Sequence, residues 1–244
     1  MTETSVTARA QARAADPACT AQSDAAVFER LARTRYSCRA FAPKPVARDT
    51  IRAILGQARH AASWCNVQPW VVHLVSGAPL EALRRKLMAA TAGATDIAAP
   101  PAYEGIHRAR RQASGWQLYD ALSITREDYA GRMAQAARNA CLFDAPHLAV
   151  LSVPASIGPY ALLDCGGFLA HFQLAARAHG VDSIAQAALA HHAGLLHEAL
   201  AIPPQDHVVC GISFGYAIAD HPVNGYRTDR ARVDEFTTWL GDQP

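Results

Sequence analysis

Residues 33–70, RTRYSCRAFAPKPVARDTIRAILGQARHAASWCNVQPW, decide how the rest of the chain is read. Arg35, Ser37 and Arg39 stand at alternating positions. Two guanidinium groups and a hydroxyl projecting to one side can bind a phosphate and a polar ring edge. Pro43 and Pro45 then turn the chain. Beyond them Ile51, Ile54, Leu55, Ala58 and Ala62 keep the three-four spacing of a helix with one apolar face, and Asp49 or Thr50 can cap it. The stretch closes on Trp64, Cys65, Asn66 and Gln68, crowded together before Pro69. Such a cluster is expensive to bury unbonded and wasteful to leave in water, so it asks for a ligand.

The chain outside this stretch supplies a core. A helix begins at Asp24, its N-cap, and carries Val27, Phe28 and Leu31 on one face. WVVHLVS (70–76), nearly all apolar and β-branched, predicts a buried strand. Pro79 sits in the first turn of the helix PLEALRRKLMAA (79–90). HLAVLSV (147–153) and HVVCGISFGY (207–216) are two more strands. YALLDCGGFLAHFQLAARAHG (160–180) is a long buried helix stopped by Gly180, HAGLLHEAL (192–200) a shorter one, and RARVDEFTTWL (230–240) a terminal one. Helices that outnumber and surround a few separated strands make an α+β, three-layer arrangement. Residues 1–23 read as a disordered arm and 24–244 as a single domain, with 91–140 a polar, arginine-rich, helical insertion.

Composition narrows the function. Half of the 244 residues are hydrophobic and the formal net charge is only +2, so no general basic field points to nucleic acid or an acidic membrane. Lys44 and Lys86 are the only lysines, leaving arginine as the main cation, and clustered arginine favours bidentate anion recognition. No run approaches the roughly 18 apolar residues of a membrane span. Six scattered cysteines fit reduced thiols in a cytoplasm better than a disulfide framework. GxGxxG after the first strand, GxxxxGK[ST], GxSxG and HExxH are all absent. His191, His192 and His197 lack a cysteine or carboxylate at ligand spacing, so they read as solvated helix histidines and no metal is expected. Cys165 reads as a small buried thiol, with Gly166 and Gly167 letting another helix approach closely. Trp64 and Trp70 fit either core or site.

A third patch, NGYRTDR (224–230), places Arg227 and Arg230 after the last strand, on one face of a forming helix whose dipole favours phosphate. With the alternating arginines and the amide-bearing turn it makes a set: an anion end, a polar ring edge and a flat surface. A solvated face explains any one patch as well, but not the three together.

The opening stretch, with DCGGFLAHFQLAARAHGVDSIAQAAL (164–189), VVCGISFGY (208–216) and NGYRTDRARVDEF (224–236) in the same order, resembles the FMN-dependent nitroreductase family, and within it the nitrobenzoate and nitroaromatic reductase branch. The resemblance implies a central, mostly antiparallel sheet flanked by helices, in a domain-swapped homodimer with FMN held between the subunits. It assigns the FMN phosphate end to Arg35 and Ser37, beside Tyr36, together with Arg227 and Arg230. Arg39 falls near the flavin pyrimidine edge, Asn66 and Gln68 on the ring edge or ribityl chain, and the backbone of Ala185, Gln186 and Ala187 opposite N5. Trp64 and Cys65 stand where small residues are usual, and are expected to shape the pocket wall or the dimer seam. Arg108 and Arg111 in the insertion either attract a carboxylated substrate or belong to a solvated helix face. The implied activity is NAD(P)H-dependent, ping-pong reduction of a small electron-poor nitroaromatic. Flavin or quinone reduction, reductive dehalogenation, or non-catalytic flavin sensing on the same fold are the alternatives.

Overall fold

The computed structural model describes residues 23–91, 93, 95–97 and 102–241; the arm expected over 1–23 falls outside this range except for Ser23. Eight helices and four strands follow in the order α1 (Asp24–Thr34), α2 (Arg48–Ala58), β1 (Val71–Ser76), α3 (Gly77–Ala90), α4 (Gly105–Ala121), α5 (Tyr129–Ala137), β2 (His147–Pro154), α6 (Tyr160–Ala178), β3 (Asp182–Gln186), α7 (Ala193–Leu200), β4 (Asp206–Gly215) and α8 (Pro222–Gly225). The strands form one sheet in the order β1-β2-β4-β3, every pair antiparallel.

The two-residue period of the strands divides the core. Ala149 and Leu151 of β2, with Ile212 and Phe214 of β4, face Ile54 and Ala58 of α2 and Phe168 and Phe172 of α6. Leu148 and Val150 point the other way, onto Leu80, Leu83 and Leu87 of α3 and Leu196 of α7. This is the three-layer α+β arrangement expected from the sequence. Phe172 and Phe214 meet edge-on with centroids 5.5 Å apart, a pair worth about 0.5–1.5 kcal/mol beyond its buried area.

Several expectations are corrected. The cap of α1 is Ser23, whose hydroxyl accepts the Ala26 N–H at 3.3 Å; Asp24 takes the first helical position, where its charge suits the dipole. Helix α2 starts one residue before Asp49, from Ala47, and has no side-chain cap. β1 is an edge strand, with Val71 and Leu74 exposed and only Val75 buried, because among the described residues no further strand pairs with it. Asp182–Gln186, hidden in an alanine-rich run, is a fourth strand. The terminal helix is absent: residues 230–240 form only a short 3-10 turn at Val233–Glu235. Val233, Phe236, Trp239 and Leu240 have helical spacing, yet all are exposed, Leu240 at 93%. An isolated segment of this length, with paired β-branched threonines at 237 and 238, does not hold a helix without a surface to bury its face. The expected close approach at Gly166 and Gly167 is also missing. A Cβ on Gly167 would meet only the Ala62 carbonyl, at 3.8 Å, and one on Gly166 nothing.

Helix α6 is the spine that positions the site. Near its end, Arg177 donates to the Thr34 hydroxyl at 3.3 Å and pairs with Asp182 at 2.9 Å, fixing α1 and β3 together. Near its start, Asp164 accepts the Trp64 N–H, each carboxylate oxygen at 3.2 Å. The thirteen residue steps from Asp164 to Arg177 amount to about 20 Å of helix. Gly180 then ends the helix region at φ 69°, as expected.

Candidate functional site

At the α6 C-terminal end, residues 35–41 run beside β3 almost as another strand. The Cys38 N–H donates to the Ser183 carbonyl at 3.2 Å, and Ser37 pairs with Ser183 in a parallel bridge. Alternation then does what the sequence implied. Cys38 and Ala40 are buried, while Arg35, Ser37 and Arg39 face a cleft of about 900 Å³ that Tyr36, Tyr226, Arg227 and Arg230 also line.

The last patch closes over this segment without forming a helix from 226 to 232, so the expected dipole contribution is lost and side chains carry the charge. Asn224, buried, anchors it: its Oδ1 accepts the Arg39 N–H at 2.9 Å, and its Nδ2 donates to the Ala40 and Ile218 carbonyls at 2.9 and 3.0 Å. Arg39 Nη1 donates to the Tyr226 hydroxyl at 2.9 Å. The Arg227 guanidinium lies 3.8 Å above the Tyr36 ring centre and donates to the Asn224 carbonyl at 2.8 Å. Arg230 donates to the Thr228 hydroxyl at 2.8 Å.

Among the described residues, Arg35, Arg39, Arg227 and Arg230 form no ion pair. Burial first, and then the nearby charge of Arg230, pull the Arg35 guanidinium below the usual arginine range. Guanidinium groups set around a serine, without an ion pair among the described residues, suit an anion, because a phosphate would relieve the Arg35–Arg230 repulsion and accept their N–H groups.

The neighbouring edge of β3 supplies backbone. Ala185 and Ala187 are exposed, and Gln186 between them turns inward. Its Nε2 donates to the Asn139 carbonyl at 3.0 Å and its Oε1 accepts from Ser213, so its side chain is committed inside the protein.

The turn from Trp64 to Gln68 lies at the other end of α6 and does not line the cleft. Cys65, Asn66 and Gln68 have φ of 48°, 56° and 51°. Left-handed backbone at non-glycine residues costs of order 1–3 kcal/mol each and persists where the surroundings impose it. The Gln68 N–H donates to Ser63 Oγ at 3.0 Å and the Gln68 amide to the Asn66 carbonyl at 3.2 Å, bracing the turn. Trp64, 60% exposed, rests on Tyr160 with centroids 4.7 Å apart. Arg108 and Arg111 project from α4 into solvent and join neither group, although Ser114 of the same helix reaches the cleft. Among the described residues no cluster of histidine, cysteine and carboxylate is arranged for a metal ion.

Residues 32–216 match the Nitroreductase family. The chain belongs to that family. It is 32% identical to 4-nitrobenzoate reductase of Pseudomonas putida, over 88% of this chain and 96% of that protein. It is 35% identical to Nitroreductase NfnB of Mycolicibacterium smegmatis, over 86% and 91%. The crystal structure of the FMN-dependent nitroreductase NfnB from Mycobacterium smegmatis in complex with NADPH superposes with a TM-score of 0.84, at 34% identity, covering 89% of this chain and 99% of that one. The nitroreductase fold expected from the sequence is therefore the fold of this chain.

Four residues of this nitroreductase escaped the sequence reading: Asn224, Tyr226, Tyr160 and Asp164. The first two lie inside NGYRTDR, where the arginines drew attention, and Asp164 precedes the cysteine that did so in LLDCGGFL. An amide beside a charged run could have pointed to Asn224, and a lone acid in an apolar helix to Asp164; Tyr160 and Tyr226 carried no such signal.

Proposed function

We propose that this chain is an FMN-dependent, NAD(P)H-consuming oxidoreductase that reduces nitroaromatic compounds in a ping-pong cycle. The observation that carries this reading is the cleft where Arg35, Ser37, Arg39, Arg227 and Arg230 converge with no ion pair among the described residues, joined to β3 through the Ser37–Ser183 bridge. The donor set fits FMN: Arg35, Ser37, Arg227 and Arg230 suit one terminal phosphate, and Arg39, held by Tyr226 and Asn224, suits the electron-rich pyrimidine edge. Bound there, FMN supplies a ring that takes hydride from the nicotinamide and passes electrons to the acceptor. The protein's part is to bind, orient and exclude water, with the main chain of Ala185–Ala187 offering donors to the ring. Its relatives named for 4-nitrobenzoate reduction support an electron-poor aromatic acceptor.

The same reading makes the enzyme a homodimer whose cofactor site draws on both chains. One chain holds the arginine cleft and the amide-bearing turn about 20 Å apart along α6. A second copy brings a turn to each cleft. The exposed Phe236, Trp239 and Leu240 of the tail need a partner surface. An apolar hollow of about 710 Å³ beside the open edge of β1, lined by Ile51, Leu55 and Leu74, is suited to receive a partner's tail. Among the described residues no helix is long and apolar enough to cross a membrane. Cys38, Cys65, Cys141, Cys165 and Cys210 carry free thiols, which suits the reducing cytoplasm in which we place the enzyme.

Flavin released by heat from the purified yellow protein tests the cofactor. FMN is expected, together with oxidation of NADH or NADPH that depends on 4-nitrobenzoate. FAD, or no flavin after reconstitution, overturns the proposal.

A further inference from the structure

Asp164 is a buried carboxylate that the reading above leaves without a role. It is 7% exposed, on a helix whose neighbouring positions Ala161, Cys165 and Phe168 are apolar core. Both its oxygens converge on one donor, the main-chain N–H of Trp64. An ionised carboxylate in apolar surroundings is costly, and a hydrophobic residue of similar size commonly serves the core as well or better. Nothing in the packing requires an acid here.

What the acid holds is informative. Trp64 opens the turn in which Cys65, Asn66 and Gln68 all adopt left-handed backbone. Tyr160, one turn before Asp164 on α6, supports the Trp64 ring from the same side. Helix α6 therefore grips the first residue of the turn twice, by its N–H and by its indole. The remaining side-chain braces, Gln68 N–H to Ser63 and the Gln68 amide to the Asn66 carbonyl, close the turn on itself and do not tie it to the body of the protein.

We propose that Asp164 is a positioning residue, with Tyr160 its aromatic support: together they set where the Asn66 and Gln68 amides and the Trp64 wall stand over the flavin. The inference rests on the proposal that this turn meets FMN. A charge-assisted hydrogen bond fixes the direction of the Trp64 N–H more firmly than a neutral one, and a site misplaced by about 1 Å loses much of its rate. An acid retained at some cost to the core is the signature of a residue kept for the site it orients.

The test compares Asp164→Leu, which keeps the branched shape in a somewhat larger side chain but removes the acceptor, with Asp164→Asn, which keeps one acceptor oxygen. Asn66→Ala and Gln68→Ala report independently on whether the turn meets flavin. Three quantities are read on each full-length protein: apoprotein melting temperature, FMN dissociation constant by flavin fluorescence, and the two half-reactions by stopped flow. Asp164→Leu is expected to melt within a few degrees of the parent temperature, yet to bind FMN about tenfold more weakly and to slow reoxidation by 4-nitrobenzoate more than reduction by NAD(P)H. Asp164→Asn is expected to recover most of both losses. If Asp164→Leu keeps parental FMN affinity and half-reactions while the two amide variants lose affinity, positioning by Asp164 is wrong and the flavin turn stands. If Asp164→Leu loses stability and function in step and Asp164→Asn rescues neither, the residue is structural and the proposal fails. If both amide variants bind FMN as the parent does, the turn does not meet flavin, and the inference falls with it. Should Asp164→Leu fail to fold, Asp164→Asn and Tyr160→Leu carry the same comparison: parental values in both overturn the proposal.

Discussion

The two ends of α6 carry opposite kinds of half-site. At the C-terminal end, charge is concentrated and well braced: arginines from residues 35–39 and 227–230 are tied by Asn224 and Tyr226 into a cleft that one chain completes by itself. At the N-terminal end, Trp64–Gln68 has no cationic charge, stands largely in solvent, and stores its cost in backbone conformation. The first reads as a grip for an anion and the second as an edge laid against something planar. Neither is a whole site, and their separation along one helix is why a second copy enters the proposal.

The sharpest way to break this contrast is at the charged end. Arg35→Ala and Arg227→Ala are each expected to weaken FMN binding roughly thirty-fold or more, because loss of one partner from a buried charged contact costs about 2–5 kcal/mol. Arg230→Ala should cost less, because Arg230 is exposed and, unlike Arg227, is held against no aromatic ring among the described residues. Equal affinity in all three, measured by fluorescence titration, means that the phosphate lies elsewhere.

At the planar end effects are smaller and fall on the acceptor. Trp64→Ala removes stacking worth about 0.5–1.5 kcal/mol, so a several-fold change is expected in reoxidation by nitroaromatics, with reduction by NAD(P)H nearly unchanged. Proportional slowing of both half-reactions would make Trp64 a packing residue. Thiol labelling sharpens the same contrast: Cys65 is exposed on the turn, whereas burial pushes Cys38 and Cys210 up to about 12 and Cys165 up to about 11. Maleimide at neutral pH should therefore modify Cys65 in the folded protein and spare the other three, and bound FMN should slow that reaction if the turn meets the cofactor. Peptide mapping by mass spectrometry reads both outcomes.

The sheet between the two ends should respond to pH in its own way. His147 Nε2 accepts the Val46 N–H at 2.8 Å, and its Nδ1 lies 2.6 Å from Ser76 Oγ, so the ring is bonded as the neutral form. Burial lowers its pKa, as it does that of His73, and Arg48 and Arg52 on the same hollow add no counter-charge. A depressed histidine pKa means that the unfolded chain takes up the proton more readily. Its contribution is complete above about pH 6.5 and is lost as pH falls below it. Urea midpoints should drop between pH 7.5 and 5.5, and drop less in His147→Gln; an equal drop in that variant excludes His147 as the source.

How much of this was legible in the sequence follows from what burial does to each segment. The alternation of Arg35, Ser37 and Arg39 was readable because extended backbone alone sets it, and α2, α3 and α6 because their apolar faces are filled within one chain. The failures share the opposite condition. The apolar patterns of β1 and of 230–240 predict a buried strand and a helix, but among the described residues no surface covers either. β3 was missed because its pairing with β4 and residue 37 is long-range, and no local propensity announces it. Of the candidate site, the arginines that line the cleft were legible, but Asn224, Tyr226 and Asp164, which brace the two ends, and the distance between those ends were not, since α6 that separates them says nothing in sequence about what docks at either end.

Subunit mixing tests the central claim most directly. Chains carrying Arg35→Ala with Arg227→Ala are co-refolded with chains carrying Asn66→Ala with Gln68→Ala, and FMN-dependent nitroaromatic reduction is measured on the mixture. Neither parent has an intact site, but each mixed dimer joins one sound cleft to one sound turn. With random pairing in a two-fold dimer, activity should return to about a quarter of the unmutated level. A mixture no more active than its parents, with mixed dimers shown to be present by mass spectrometry, would contradict a flavin site shared between two copies.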